Sequence, residues 1–517
     1  MVEKKRREYF SQYLQTCDIP VEKRKIEPFT MVIFGGTGDL SMKKLLPALF
    51  HLFQAKEFPE RFSILGVGGS QLGDDEYRAR IKEALMRAAD GGSFREDVWG
   101  EFQGHLGYFS GNLEKDQAYG ELRGRLGATV VPSGAGKKDV VFYLALPPDM
   151  VPGVVARLGA AGFADGSLEP KIVVEKPFGR DQRSARELNR TLNSAFEERR
   201  IYRIDHYLGK DTVQNIMFLR FSNSIFEHLW NSNYIDNVQI TVAEDIGIEN
   251  RARFYEESGV IRDIVQNHIL QVIAMVAMEP PAGFEADSIR DEKTKVFRSL
   301  YPIPEEEVDK LTVIGQYGPG KIEGKAVPGY REEAGVAPDS STPTFFAGVF
   351  QIANWRWAGV PFYVRTGKRM ARRITQIAIQ FQQPPLRLFG RTCDELDPNI
   401  LFLTIQPEEE ISLRIGVKLP NETNQIYPID LKFNYRETFE SLPHPAYERL
   451  IMDCLKEDLT LFVRQDQVEA MWAAVDPVIA CWESLPHREF PNYAAGTWGP
   501  RASDELIGRQ GRAWLTR

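Results

Sequence analysis

The chain has 517 residues, 43% of them hydrophobic and 26% charged, with a formal net charge of −8. That length exceeds a single ordinary core of about 100–200 residues, so two large domains are expected. The negative balance argues against nucleic acid or another polyanion as the main partner; an anionic ligand would need a local cluster of cations.

In chain order, the basic run Lys4-Lys5-Arg6-Arg7 reads as a solvated tail. No apolar leader follows it, and no stretch reaches the roughly 18–20 apolar residues that cross a bilayer. From Phe29 to about Gly179, short apolar runs alternate with amphipathic stretches. TMVIFGG (30–36) predicts a strand, and 42–53 a helix with Leu45, Leu46, Leu49 and Leu52 on one face. A second strand is expected over 61–69 and a polar helix over 74–89. Two further strands, 139–148 and 171–179, are stopped by proline. Strands alternating with helices imply βαβ units and a parallel sheet.

The turn VIFGGTGDLS sets Gly35, Gly36 and Gly38 between a strand and a helix. Glycines there allow a tight turn and let backbone N–H groups approach a pyrophosphate, and the helix N-terminus favours the negative charge. Thr37, Asp39 and Leu40 complete this candidate dinucleotide loop, and Ser41 stands where a third small residue packs helix on strand. Ser70 and Pro147, at the ends of two later strands, join the candidate site. The end of the second strand, Gly66-Val67-Gly68-Gly69-Ser70, carries neither an acid for a ribose 2′-hydroxyl nor an arginine for a 2′-phosphate, so NAD+ and NADP+ both stay open.

Beyond Lys210 the texture changes. Helices are expected near 211–221 and 260–278, with a strand at 237–245. Five alternating segments between 345 and 436 suit a large antiparallel sheet, and helices near 445–456 and 466–482 are expected to cover it. The stretch 305–341, rich in Gly, Pro and charge, predicts loop. The fold class is therefore a Rossmann dinucleotide-binding domain, 27–205, followed by an α+β domain with a mostly antiparallel sheet, 206–517. Cys17, Cys393, Cys454 and Cys481 are scattered without a CxxC pair, so neither a disulfide framework nor a metal site is expected, and a reduced, cytoplasmic setting fits.

RIDHYLGK (203–210) gathers the imidazole of His206, the phenol of Tyr207 and the ammonium of Lys210 within five residues, beside Asp205. These donors suit a phosphate better than a metal; a capped turn opening a helix is the plainer alternative. A second histidine, His268, follows Asp263 by five positions, roughly 140° around an ideal helix. If both act, they line different walls of one cavity, or the helix begins irregularly.

Together GGTGDL, FYLALPP, VEKPFG, RIDHYLGK, IRDIVQNH, VPFYVRTGK and YRETF…AYERLIMDCL resemble the glucose-6-phosphate dehydrogenase family, in the order found there, from about residue 29 to Trp514. The resemblance implies oxidation of glucose 6-phosphate at C1 with NADP+, the family default, and/or NAD+, the first oxidative step of the pentose phosphate pathway. The alternatives are a related Rossmann sugar dehydrogenase acting on another hexose or phosphohexose and a non-catalytic sugar-phosphate or dinucleotide sensor. It implies His268 as general base and Asp205 as the carboxylate that orients it. His206, Tyr207 and Lys210 would hold the phosphate. Lys176 would lie between sugar and cofactor, next to a proline that follows a cis bond. Glu244, Asp263 and Lys368 would contact sugar hydroxyls or phosphate, with Lys44 near the substrate and Arg372 a further contact. The family implies a homodimer or homotetramer built on the large sheet, with no nucleic acid or membrane partner. Members that use NADP commonly carry arginine where this chain has Gly69. Losing that charge-assisted pair, about 1.5–3 kcal/mol, predicts dual or NAD-tolerant use. The short C-terminus predicts that the second, structural NADP site of some animal members is missing.

Overall fold

The computed structural model describes residues 25–88, 94–129, 139–163, 168–386, 397–420, 426–438, 445–485 and 489–516. The basic run 4–7, Cys17 and Cys393 lie outside them. The first sheet is built from β1 (Phe29–Phe34), β2 (Phe62–Gly68), β3 (Leu106–Ser110), β4 (Asp139–Leu144), β5 (Glu169–Glu175) and β6 (Ile201–Ile204). These six pair in parallel. β1 is buried along its whole length, as a strand with both faces covered must be. The order across the sheet is β6, β5, β4, β1, β2, β3. It reverses between β1 and β4, and ligands of such sheets sit at the strands' carboxyl ends beside that reversal.

β3 and β6 have five and four residues, too short for periodicity to reveal them. A short strand, Phe462–Val463, pairs antiparallel with the outer edge of β6, so the chain returns to this sheet near its end.

The second sheet holds β7 (Ile235–Ala243), β8 (Thr312–Gly315), β9 (Phe345–Phe350), β10 (Phe362–Gly367), β11 (Ile374–Phe381), β12 (Ile400–Gln406), β13 (Glu410–Lys418) and β14 (Ile426–Asn434). Their order is β14, β13, β12, β11, β7, β10, β9, β8. Neighbours run antiparallel except β7 and β10, which are parallel. β8 lies inside the segment expected to be loop: TVIG is only four residues long, but pairing with β9 supplies what its local sequence lacks.

The C-terminal helices are where expected, Ala446–Leu455 and Gln465–Ser484, but they pack chiefly on other helices, and Trp482 of the second reaches only the rim of the antiparallel sheet, donating to Thr312 Oγ1 in β8 at 2.9 Å. Gln465–Ser484 packs on the helices Gln182–Ala195 and Ala286–Ser299, and Ala446–Leu455 meets Leu46–Gln54. The Trp472 indole fixes this arrangement, donating to the Phe178 carbonyl at 2.8 Å. The helix Asp211–Phe221 and the segment Ile261–Ile269 touch the second sheet instead.

The run Ala252–Ala277 is long and apolar enough to cross a membrane, yet 94% of its apolar window is buried inside the protein. It is not uniform. Ile261–Ile269 forms a π-helix between two α-helical pieces. The wider i→i+5 turn corresponds to the second of the two alternatives that the Asp263–His268 spacing left open, an irregular helix.

Candidate active site

Asp205 follows the last residue of β6, so strand geometry delivers its carboxylate to the carboxyl edge of the first sheet. Its Oδ1 accepts the Tyr207 backbone N–H at 3.0 Å, closing an Asx turn, and the His268 Nδ1–H at 2.5 Å. Both side chains are 1% exposed. Oδ2 is buried without a hydrogen-bond partner.

With Nδ1 committed to the carboxylate, the lone pair of His268 lies on Nε2. There the Lys176 ammonium donates at 2.9 Å. The same ammonium donates to the Asp263 carbonyl at 2.8 Å and to Asp263 Oδ1 at 3.2 Å. One cation therefore bridges both residues of the π-helix. The Lys176–Pro177 bond is cis. Burial lowers the His268 pKa, Asp205 opposes that and Lys176 adds to it, so the ring is neutral at pH 7. Burial would raise Asp205, but His268, through charge and hydrogen bond, outweighs it and holds the carboxyl well below the usual range.

Parallel pairing of β7 with β10 sets their carboxyl ends side by side, and the Glu244 backbone N–H donates to Gly367 O at 3.0 Å. The next side chains then meet: Lys368 Nζ donates to Glu244 Oε2 at 2.7 Å. Burial opposes ionisation of Asp263, but Lys176 and then Lys368 hold its pKa low, so this ion pair lies on the Asp263 side of the site.

On the other side, the Tyr207 ring stacks on His268 with centroids 4.2 Å apart, and His206 stands 4.5 Å from the same ring. Lys210 Nζ donates to Gln406 Oε1 at 2.7 Å and lies 4.4 Å from the Tyr207 centroid. Burial, reinforced by the charge of Arg373, lowers Lys210 to about 8. Burial, with repulsion from Lys176 and from His268 whenever that ring is protonated, pushes His206 well below its ordinary value. This corner holds cationic and phenolic donors that oppose one another's charge, a condition an arriving dianion relieves.

Arg372 is exposed, and its guanidinium sits over Trp498, 6.0 Å from the ring. Its neighbour Arg373 is the one whose charge acts on Lys210 and Tyr207. Sequence reasoning named Arg372; KRMARR offers no signal for choosing between them. Gln406 and Thr375, joined at 2.9 Å, are further residues of this corner that sequence reasoning missed. Lys44 is exposed in the short π-helix Ser41–Leu45 that follows the glycine loop.

At the dinucleotide end, Gly35 has φ +78°, and a Cβ there would lie 2.2 Å from the Ala145 carbonyl oxygen. Only glycine fits. Gly38 N–H donates to Gly35 O at 2.9 Å, and buried Ser41 donates its hydroxyl to the same oxygen at 2.8 Å. Thr37 and Leu40 are half-buried beside this turn, Asp39 is exposed and paired with Lys43, and Ser70 and Pro147 are exposed at the ends of β2 and β4. The close backbone at the β1–β4 reversal fits a dinucleotide pyrophosphate. Gly69 is open, with nothing within 4 Å of a Cβ placed there.

A six-strand parallel order with a glycine turn at its reversal, and a buried imidazole–carboxylate pair at the same edge, define a nicotinamide-dependent dehydrogenase. Comparison with known proteins narrows the class. The model described as "Glucose-6-phosphate dehydrogenase, NAD binding domain" matches residues 32–215, and the C-terminal domain model of the same enzyme matches 217–515. The chain is 44% identical over 492 residues to the glucose-6-phosphate 1-dehydrogenase of Rhizobium meliloti (strain 1021), covering 95% of this chain and 98% of that one. It is 41% identical over 484 residues to that of Bacillus subtilis (strain 168), covering 94% and 97%. A solved glucose-6-phosphate dehydrogenase in complex with its substrate glucose-6-phosphate superposes with TM-score 0.86 at 34% identity, covering 95% and 99%. The protein from Mycobacterium avium gives 0.81, with the same identity and coverage. The chain belongs to the glucose-6-phosphate dehydrogenase family. Its cofactor is NADP+, NAD+ or both.

Proposed function

We propose that this chain oxidises D-glucose 6-phosphate at C1 to 6-phosphoglucono-1,5-lactone. The observation that carries the reading is the buried His268–Asp205 pair, 2.5 Å apart, with Nε2 turned to the donors of the site. His268 Nε2 takes the proton of the C1 hydroxyl as that hydroxyl becomes a carbonyl; an imidazole free of its proton at neutral pH is suited to this step. Asp205 holds the ring and stabilises the imidazolium. When bound, the nicotinamide accepts the hydride released from C1.

Lys176 leaves Nε2 as the sugar arrives and donates to the substrate instead. Asp263, Glu244 and Lys368 bind sugar hydroxyls or phosphate, and Lys44 and Arg372 stand at the margin of the pocket. His206, Tyr207 and Lys210 take the phosphate. Gly35 to Leu40, Ser70, Pro147 and Lys176 hold the cofactor. The dinucleotide-binding unit spans 27–205 and the substrate and association unit 206–517.

Copies of the chain associate through the second sheet, a reading supported by Tyr427 and Leu431 on edge strand β14, 56% and 52% exposed. Light scattering of wild type against Leu431→Lys checks it: a unit of one mass in both rules that edge out.

The main test is a steady-state assay with glucose 6-phosphate and with glucose, each with NADP+ and NAD+. Equal kcat/KM for the two sugars would remove the phosphate-binding assignment.

A further inference from the structure

Outside the residues assigned above, a buried chain of hydrogen bonds runs from the C-terminal segment into the sugar side of the site. Tyr493–Ala494 pairs in parallel with Tyr317–Gly318, which brings the Tyr493 phenol beside Thr344. The Tyr317 backbone N–H donates to Thr344 Oγ1 at 3.1 Å. Tyr493 Oη lies 3.1 Å from the same Oγ1 and donates to the Lys368 carbonyl at 2.8 Å. A phenol has one proton to give and the Lys368 carbonyl takes it, so the Thr344 hydroxyl donates to Tyr493. Tyr317, Thr344, Tyr493 and Lys368 are all buried.

Both backbone polar groups of Lys368 are thereby held, since its N–H donates to the Thr344 carbonyl at 3.0 Å. The next residue shows why so many restraints meet here. Arg369 has φ +51°, in the left-handed region that a residue other than glycine enters only at a cost. Such a conformation persists where the surroundings over-determine it. Here the Gly496 N–H donates to the Arg369 carbonyl at 2.8 Å, and the Met370 N–H donates to the Glu244 carbonyl at 2.8 Å. The segment 493–496 therefore grips two successive carbonyls of the turn, and the turn is tied to Glu244. What this geometry secures is the 2.7 Å bond from Lys368 Nζ to Glu244 Oε2.

We infer that Tyr493 is a positioning residue for the sugar phosphate: its hydroxyl fixes the Lys368 backbone, and through it the ammonium that meets Glu244 and the substrate. The inference rests on the substrate-binding reading of Lys368. It assigns the C-terminal segment a part in substrate binding that acts through that lysine.

Tyr493→Phe keeps the ring, which packs edge-on against Phe345 at 5.6 Å, and removes the donor to the Lys368 carbonyl. KM for glucose 6-phosphate should rise about 3- to 10-fold, the ordering supplied by one hydrogen bond. The kcat and the KM for the nicotinamide should stay within about twofold. Lys368→Met should raise KM further, and Tyr493→Phe added to it should change nothing more, because the phenol acts through the lysine. Tyr363→Phe is the control. Its hydroxyl donates to Gln510 at 2.6 Å, tying the same C-terminal segment to the second sheet without reaching Lys368, so KM should not move. Thermal melts establish that each variant is folded. Should Tyr493→Phe fail to fold, Thr344→Val removes the hydroxyl that donates to the phenol and takes its place, with the same expected rise. An unmoved KM in Tyr493→Phe, an equal rise in Tyr363→Phe, or additive effects in the double variant overturns the inference. An unmoved KM in Lys368→Met overturns the substrate-binding reading of that lysine first, whatever Tyr493→Phe does.

Discussion

Asp263 and His268 are five residues apart and meet the same Lys176 ammonium, at 3.2 Å and 2.9 Å. An α-helix would point them about 140° apart. The π-helix Ile261–Ile269 turns both inward, at the cost of a rarer hydrogen-bond register. The base and the substrate-binding carboxylate proposed here thus share one short segment.

The first prediction concerns the base. His268→Asn lowers kcat by about 10²–10⁴-fold, since proton transfer to a positioned side chain contributes that much. Glucose 6-phosphate still binds, as calorimetry will register. Turnover close to wild type would leave Nε2 without its role.

Lys176 provides a second test. Its charge disfavours the His268 imidazolium, so Lys176→Gln raises the imidazole pKa. The acid limb of the kcat/KM profile therefore moves to higher pH while the plateau falls. A limb that stays in place would mean that the ammonium does not sit at Nε2 in solution.

Cofactor choice is the third. Gly69 has open space around a Cβ, so Gly69→Arg is tolerated sterically. A charge-assisted pair with the 2′-phosphate is worth about 1.5–3 kcal/mol, so the NADP+/NAD+ ratio of kcat/KM should rise roughly 10- to 150-fold. No rise would show that the 2′-phosphate is directed elsewhere.

The fourth links protonation to folding. His206 and His268 are both held below their ordinary 6.5 in the folded chain. The unfolded chain takes up those protons near pH 6.5 and the folded one does not, so this contribution is complete above 6.5 and is lost as pH falls. Each can approach ~1.4 kcal/mol per pH unit. Glu175, raised to about 7 by burial, and Asp453, raised to about 6 by burial, work in the opposite direction at mildly acid pH. The test is therefore a difference: denaturation between pH 7 and 5.5 should show a smaller loss in His268→Asn than in wild type. Identical slopes would mean that the imidazole titrates alike in both states.

How much of this the sequence could reveal depended on whether the requirement was local. Gly35 is demanded by its own φ and by one carbonyl, and the local pattern around it said so. Leu45, Leu46, Leu49 and Leu52 are buried as their spacing indicated. The π-helix left only an awkward five-residue interval, because a change of hydrogen-bond register has no compositional mark. Arg373 and Arg372 are neighbours of one type, and what separates them is Trp498, far along the chain, over which Arg372 sits. The C-terminal helices were found by their period, but not their neighbours: an apolar stripe says that a face is covered and never by what.

The pairing of Phe462–Val463 with β6 has a consequence during synthesis. Arg203 donates to the Val463 carbonyl across 260 residues of sequence. Until the ribosome has delivered that distant segment, the outer edge of β6 is a row of open backbone groups, adjoining Asp205, the partner of His268. The nascent protein must cross this interval with its first sheet unsealed, a period when chaperones matter most and when premature termination would leave a sticky fragment.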